Sequence, residues 1–305
     1  MSWSQIDTFK RDPQGRVYFN PAKDYLRPFE LTLDKPNSVV TLNPGETLGP
    51  FALTAQRDGP IEVFYVKANV YDASDNPLTT YDVDFLLEHA GKRKIFSNRP
   101  VPLMAASGDG GRPYILPETI FIPAVQSVQV TFFNRDSATR KVEFVLGGIK
   151  FYPNAAPKAV GDEMWAYAQR RERTYAYWQL PDREIVLPPS GELDAVATVP
   201  DDADLEIFKL SARSASPFRI EIIEGITSRS LFNGSLIHGS LVFGGHVAVP
   251  IAGGLGGSGG VFPARWATSW VVRRSTQILF RFENLAASNN RVSVVLGGRK
   301  ISYAG

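Results

Sequence analysis

Residues 128–151 read VQVTFFNRDSATRKVEFVLGGIKF, and residues 278–301 read ILFRFENLAASNNRVSVVLGGRKI, 150 positions later with no gap. Eight of the twenty-four aligned positions are identical: Phe132/Phe282, Asn134/Asn284, Val142/Val292, Val145/Val295, Leu146/Leu296, Gly147/Gly297, Gly148/Gly298 and Lys150/Lys300. Each copy reads as strand, polar turn, strand, Gly-Gly, short strand. Further blocks recur in the same order. LEIFKLSA (205–212) answers IEVFYVKA (61–68), with Glu62/Glu206, Phe64/Phe208 and Ala68/Ala212 identical. FRIEIIE (218–224) answers YDVDFLL (81–87), which sets Asp84 against Glu221, and SLFNGS answers KIFSNR. Matching blocks in one order indicate a tandem duplication.

The segments between these blocks have the period of β-structure. Residues 61–71 carry apolar residues on both faces, as a strand covered on both sides does. Residues 79–89 alternate, with Tyr81, Val83, Phe85 and Leu87 inward and Asp82 and Asp84 outward. VVTLNPGETL is a strand entering a Pro-Gly turn, TIFIPAVQSVQVTFF is two strands broken at Pro123, and AASGDGGRPYILPE (105–118) reads as a Gly-rich loop. With 26 Gly and 22 Pro punctuating short apolar runs, the fold class expected is all-β. Two tandem β-sandwich or jelly-roll domains result, because period-2 faces need a second sheet to cover them.

A chain of 305 residues accommodates two such cores. The expected boundaries are an extended N-terminal arm over 1–36, one sandwich over 37–153, a linker over 154–184 and a second sandwich over 185–305. The arm scatters aromatics among Pro and charges without a period. It either lies over its own domain or reaches a neighbouring subunit. GDEMWAYAQRRERTYAYWQL (161–180) is the best helix candidate, with Asp162 and Glu163 at its start and Leu180-Pro181 at its end. Its aromatics suit an inter-domain wedge or a partner-binding face.

Chemistry is sparse. There is no cysteine, hence no disulfide, thiol nucleophile or thiolate metal site. His89, His238 and His246 lack the spacing of zinc helices. Asp82, Asp84 and Glu88, or Asp201, Asp202 and Asp204, could supply paired carboxylates. Alternating Asp on a strand is more often a solvated face, and 201–204 reads as a turn. GGSGG (256–260) is not placed as a nucleophile elbow, and Gly253–Gly260 reads as a flexible loop tip. Lys92-Arg93-Lys94 and Arg273-Arg274 are small basic groups without interleaved aromatics, and the net charge is +2, so no specific nucleic-acid partner is expected. No apolar run is long enough to cross a bilayer, and residues 1–15 lack the apolar centre of a secretory signal. No catalytic residue, metal or cofactor is expected.

The same blocks resemble virion structural proteins of tailed bacteriophages. The likeness is carried by Tyr81–Leu87, Phe96–Asn98, Leu116–Ile122, Val128–Asn134 and Val142–Tyr152. It recurs more loosely in Phe218–Glu224, Leu231–Asn233, Ile278–Asn284 and Val292–Tyr303, where FPARWATSW replaces LPETIFI. The resemblance implies a non-enzymatic particle component made in the host cytoplasm and carried in the virion, in a decoration, cement, vertex or collar role. Its partners would be a major capsid, portal or tail protein and further copies of itself. The candidate contact residues are Trp3, Phe9, Tyr18, Phe19, Trp165, Tyr175, Trp178, Trp266 and Trp270. Two alternatives stand beside it. One is a carbohydrate-binding module or host-surface receptor-binding protein that stacks a host glycan on Trp266, Trp270 and Tyr114. The other is a double-jelly-roll major capsid protein.

Overall fold

The computed structural model describes residues 9–11, 17–19, 26–34, 38–90, 94–108, 113–153, 162, 166, 174–232, 234–239 and 264–302. A short hairpin pairs β1 (Phe9–Arg11) with β2 (Val17–Phe19), so the arm is not extended throughout. The first half then follows: β3 (Leu26–Thr32), β4 (Val39–Leu42), β5 (Thr47–Thr54), β6 (Ile61–Tyr71), β7 (Val83–His89), β8 (Lys94–Ile95), β9 (Val101–Pro102), a helical turn α1 (Leu103–Ala106), β10 (Tyr114–Ile122), β11 (Ser127–Asn134) and β12 (Arg140–Phe151). The second half comprises β13 (Thr174–Gln179), β14 (Ile185–Leu187), β15 (Glu192–Thr198), β16 (Asp204–Ser214), β17 (Phe218–Glu224), β18 (Arg229–Ser230), β19 (Ile237–His238), β20 (Ala264–Val272), β21 (Gln277–Asn284) and β22 (Asn290–Ile301).

The two halves share one strand order. The first has sheets β10-β6-β12-β3, with β4 also on β12, and β5-β11-β7-β8, with β9 on β7. The second has β20-β16-β22-β13, with β14 on β22, and β15-β21-β17-β18, with β19 on β17. Among the described strands every ladder is antiparallel, and each half is a jelly-roll-like sandwich of two sheets. The duplication read from the sequence is therefore a duplication of topology.

The residues identical between the copies hold equivalent positions. Gly147 pairs with Tyr65 and Gly148 with Val63, which leaves Phe64 bulged out of register. Gly297 pairs with Lys209 and Gly298 with Ile207, which bulges Phe208 in the same way. A Cβ on Gly148 or Gly298 would collide with the carbonyl oxygen of Glu62 or Glu206, so the bulge brings two backbones too close for any side chain. Asn134 and Asn284 are both buried. The Asn134 amide donates to the carbonyls of Asn43 (2.9 Å) and Ala138 (2.9 Å), and that of Asn284 to Pro188 (2.7 Å) and Ser288 (2.8 Å). Lys150 and Lys300 are buried cations at strand ends. Lys150 pairs with Asp58 (2.5 Å) under the Phe29 ring, and Lys300 with Asp202 (2.8 Å) under the Tyr177 ring.

Several expectations need correction. Residues 174–179 of the expected helix form β13, paired along β22 from Thr174↔Ile301 to Gln179↔Leu296, while Asp162 and Ala166 further back are helical. The pattern TYAYWQ alternates inside an aromatic-rich stretch, and a waiting sheet edge outweighed its helical neighbours. Leu26–Thr32, placed in the arm, is β3 and pairs with β12. Within 105–118, the described residues form the end of α1 and the start of β10. The alignment of residues 81–87 with 218–224 slips by two. Phe132↔Phe85 and Phe282↔Ile220 make Asp84 the counterpart of Arg219, not of Glu221. Gly253–Gly260 and His246 lie outside the described residues.

Candidate functional site

The clearest constellation of aromatic and charged side chains is the seam between the halves, built around β13. Its residues alternate. Tyr177 joins the core of the second half, while Ala176 and Trp178 join that of the first, together with Val295 from β22. Trp178 is fully buried. Its ring meets Phe85 edge-on at 5.8 Å, and its indole N–H donates to the Tyr114 hydroxyl at 3.2 Å. Its backbone N–H donates to the Phe96 carbonyl at 2.8 Å. From there aromatic contacts run through Phe144 (5.6 Å from Phe85) to Phe132 (5.5 Å from Phe144) in the first core. The second half thus plugs the open side of the first sandwich, between β10 and the β7–β8 edge. The first half's core runs across the seam, and Tyr175 packs against both cores.

Polar contacts surround the plug. Asp82 receives Arg213 at 2.5 Å and also pairs with Arg291, which reaches Glu184 with its Nε. Arg299 joins Glu118 of the first half (3.1 Å) to Glu206 of the second (2.7 Å). Lys209 donates to the Ile115 carbonyl, and Arg99 to the Pro181 carbonyl at 2.9 Å. Asn98 exchanges two 2.8 Å hydrogen bonds with Leu180. Lys94 lies 4.7 Å from the Tyr175 ring centre, and Tyr175 meets Phe96 edge-on. Burial, with Asp82 adding repulsion, raises the Asp84 carboxyl above the usual range, while Arg291 and Arg135 pull the other way. Burial also pushes the Tyr114 hydroxyl up to about 12, so it stays a neutral hydrogen-bonding group.

The sequence candidates fall out as follows. Trp178 is an inter-domain wedge and is not presented to a partner; Tyr175 lies half-buried beside it. Tyr114, proposed as a sugar platform, is buried beneath Trp178 and cannot stack a glycan. Trp270 is half-buried on β20, against the second core. Trp3 and Trp165 lie outside the described residues. For Phe9, Tyr18, Phe19 and Trp266 the described structure is the strand backbone alone. Asp82 and Asp84 do not form a solvated face: Asp82 faces Arg213 and Arg291 of the second half, and Asp84 is buried beside Arg135 of its own half at 3.4 Å. Asp202 serves Lys300, and Asp204 takes Arg273 (2.9 Å) and the Arg274 backbone N–H (2.9 Å). Among the described residues, no group of three or more His, Cys, Asp or Glu side chains is placed to hold a metal ion. No described helix is long and apolar enough to cross a membrane. Sequence reasoning missed the seam's arginines. Arg291 is 209 positions from Asp82, and no local pattern links the two.

No family model matches the chain, and no curated protein does. Solved structures similar to it include a recombinant peptide:N-glycanase F, at 9% identity over 92% of this chain and 97% of that one, with a TM-score of 0.40. The MCP of STIV, Sulfolobus turreted icosahedral virus, is 9% identical over 89% of this chain and 96% of its own, with a TM-score of 0.43. The infectious bursal disease virus VP2 subviral particle is 9% identical over 95% of this chain and 45% of its own, with a TM-score of 0.26. At these scores the likenesses carry no functional inference.

Proposed function

We propose that the protein is a non-enzymatic virion structural component of a tailed bacteriophage, one that binds capsid or tail proteins and further copies of itself. The observation that carries this reading is the seam. Two jelly rolls share an apolar core through Trp178 and are braced by Asp82 with Arg213 and Arg291, which makes one stiff block. A stiff block with sheet faces outward suits repeated, symmetric contact with little rearrangement on assembly. The candidate catalytic carboxylates take up structural partners instead, and the resemblance in the strand blocks points the same way.

The arm is the proposed tether. Because β3 starts at Leu26 and belongs to the first sheet, the deletion that tests the arm is 1–24. The shortened chain is expected to keep its strand circular dichroism and melting temperature while dropping out of purified particles. Undiminished incorporation would reject the arm's role. A second reading, glycan binding, rests on Trp270, half-buried on β20 beside the 45% exposed Val271. Screening the intact protein on a glycan array, then repeating any hit with Trp270→Ala, separates the two.

A further inference from the structure

The contact between the halves is head-to-tail. A sheet face of the second half (β13, β22, β16) meets a rim of the first (the Asp82 turn, Phe96–Arg99 and β10). The halves are copies, so each surface has a counterpart elsewhere in the same chain. The counterpart of the face is the outer side of β3, β12 and β6 in the first half. The counterpart of the rim is the Pro217 turn, Leu231–Phe232 and β20 in the second.

Two of the seam's ion pairs have changed in step at these counterparts, while Arg291, the second partner of Asp82, corresponds to Lys141, which keeps its charge and pairs with Asp75 (2.7 Å) on its own half. Asp82 and Arg213, an ion pair in the seam, correspond to Pro217 and Asn69, both neutral. Glu118 and Arg299, a second pair, correspond to Thr268 and Ile149, again both neutral. Ser97 forms a backbone bridge with Trp178, and that small-and-large combination becomes Phe232 on the rim and Glu30 on the face. The charges that remain have partners on their own half: Arg219, in the place of Asp84, pairs with Glu283 (3.0 Å), and Glu30 on the face pairs with Lys67 (2.5 Å). Had one side alone lost its charge, repeating the contact would bury an unpaired ion, at heavy cost. The rim also holds exposed apolar surface at Leu236 (36%), adjoining the partly buried Ile237, and β20 carries the exposed Val271 (45%).

We propose that these two surfaces bind each other between copies: the Pro217–Phe232–β20 rim of one chain docks on the β3-β12-β6 face of the next, by the operation that joins the halves. This rests on the structural reading above and names its partner as a second copy. A heterologous contact of this kind closes into a ring or runs on as a filament, according to its rotation.

The absence of cysteine permits a direct test on the full chain. Glu30→Cys and Phe232→Cys copy the positions of Trp178 and Ser97, whose backbones bridge and so lie close enough for a disulfide. An oxidised mixture of the Glu30→Cys face variant with the Phe232→Cys rim variant should give disulfide-linked dimers, and each variant alone should not. Light scattering on the unmodified protein should give a mass above that of one chain. Cross-linking of a single variant to itself, or a monomer at about 100 μM, well above typical protein–protein dissociation constants, would overturn the proposal. A chain that is monomeric by this test and still enters particles would leave the structural role standing without this contact.

Discussion

Asn134 and Asn284 do the same work 150 positions apart. Each side-chain amide ties the end of a long strand to two loops, and each side-chain oxygen accepts a backbone N–H two residues on, from Asp136 at 3.0 Å or Ala286 at 3.1 Å. Replacing either by Ala leaves buried carbonyls short of a donor, so a loss of about 1–3 kcal/mol is expected for each. The sites belong to different cores and should add in urea unfolding. Strong non-additivity would argue against equivalent, independent roles. Asp84 tests the seam by pH. Its carboxyl is raised in the fold by burial first and by Asp82 second, so the folded chain holds that proton more tightly than the unfolded chain. Ionisation therefore opposes folding as pH rises through the raised value, and the penalty is absent below the ordinary carboxylate range. Asp84→Asn should then gain in melting temperature relative to the parent on going from pH 4 to pH 7. The same offset at both pH values would contradict this account.

At the scale of single elements, the Gly-Gly pair shows why a motif survives duplication. β12 and β22 are long strands that face the bulges at Phe64 and Phe208, and the close approach of backbones there needs a bare Cα at Gly148 and Gly298. Gly148→Ala forces the strands apart at the centre of a sheet. A loss of about 3 kcal/mol or more is expected, with failure to fold as the extreme, whereas Gly45→Ala in an open turn at φ +71° should cost only about 1 kcal/mol. Comparable losses at the two sites would remove close packing as the cause. β13 makes the complementary point. Its sequence lies in a stretch that reads as helix, yet one face completes the sheet of the second half and the other fills the first half's core.

Across the whole molecule, the halves should unfold together because their cores meet at Trp178. Calorimetry is expected to show one transition for the parent chain. Trp178→Ala should lower stability by about 3–5 kcal/mol, as for other buried aromatics. Combined with Asp82→Ala, which leaves Arg213 without its partner in the seam, it should split the trace into two transitions. Two transitions already present in the parent would mean that the halves are independent.

The amino-acid sequence by itself determined the duplication, the all-β class, the limits of β6 and β17, the break at Pro123 and the identical positions that hold each sandwich. These are local patterns of period, turn residue and close packing. It mistook β13 for helix and Asp82 and Asp84 for a solvated face, and the match of residues 81–87 to 218–224 slipped by two. Only the tertiary structure decided those points. Strand formation at β13, the burial of Trp178 and the pairing of Asp82 with Arg213 depend on residues 64 to 131 positions away, brought together when one half docks on the other.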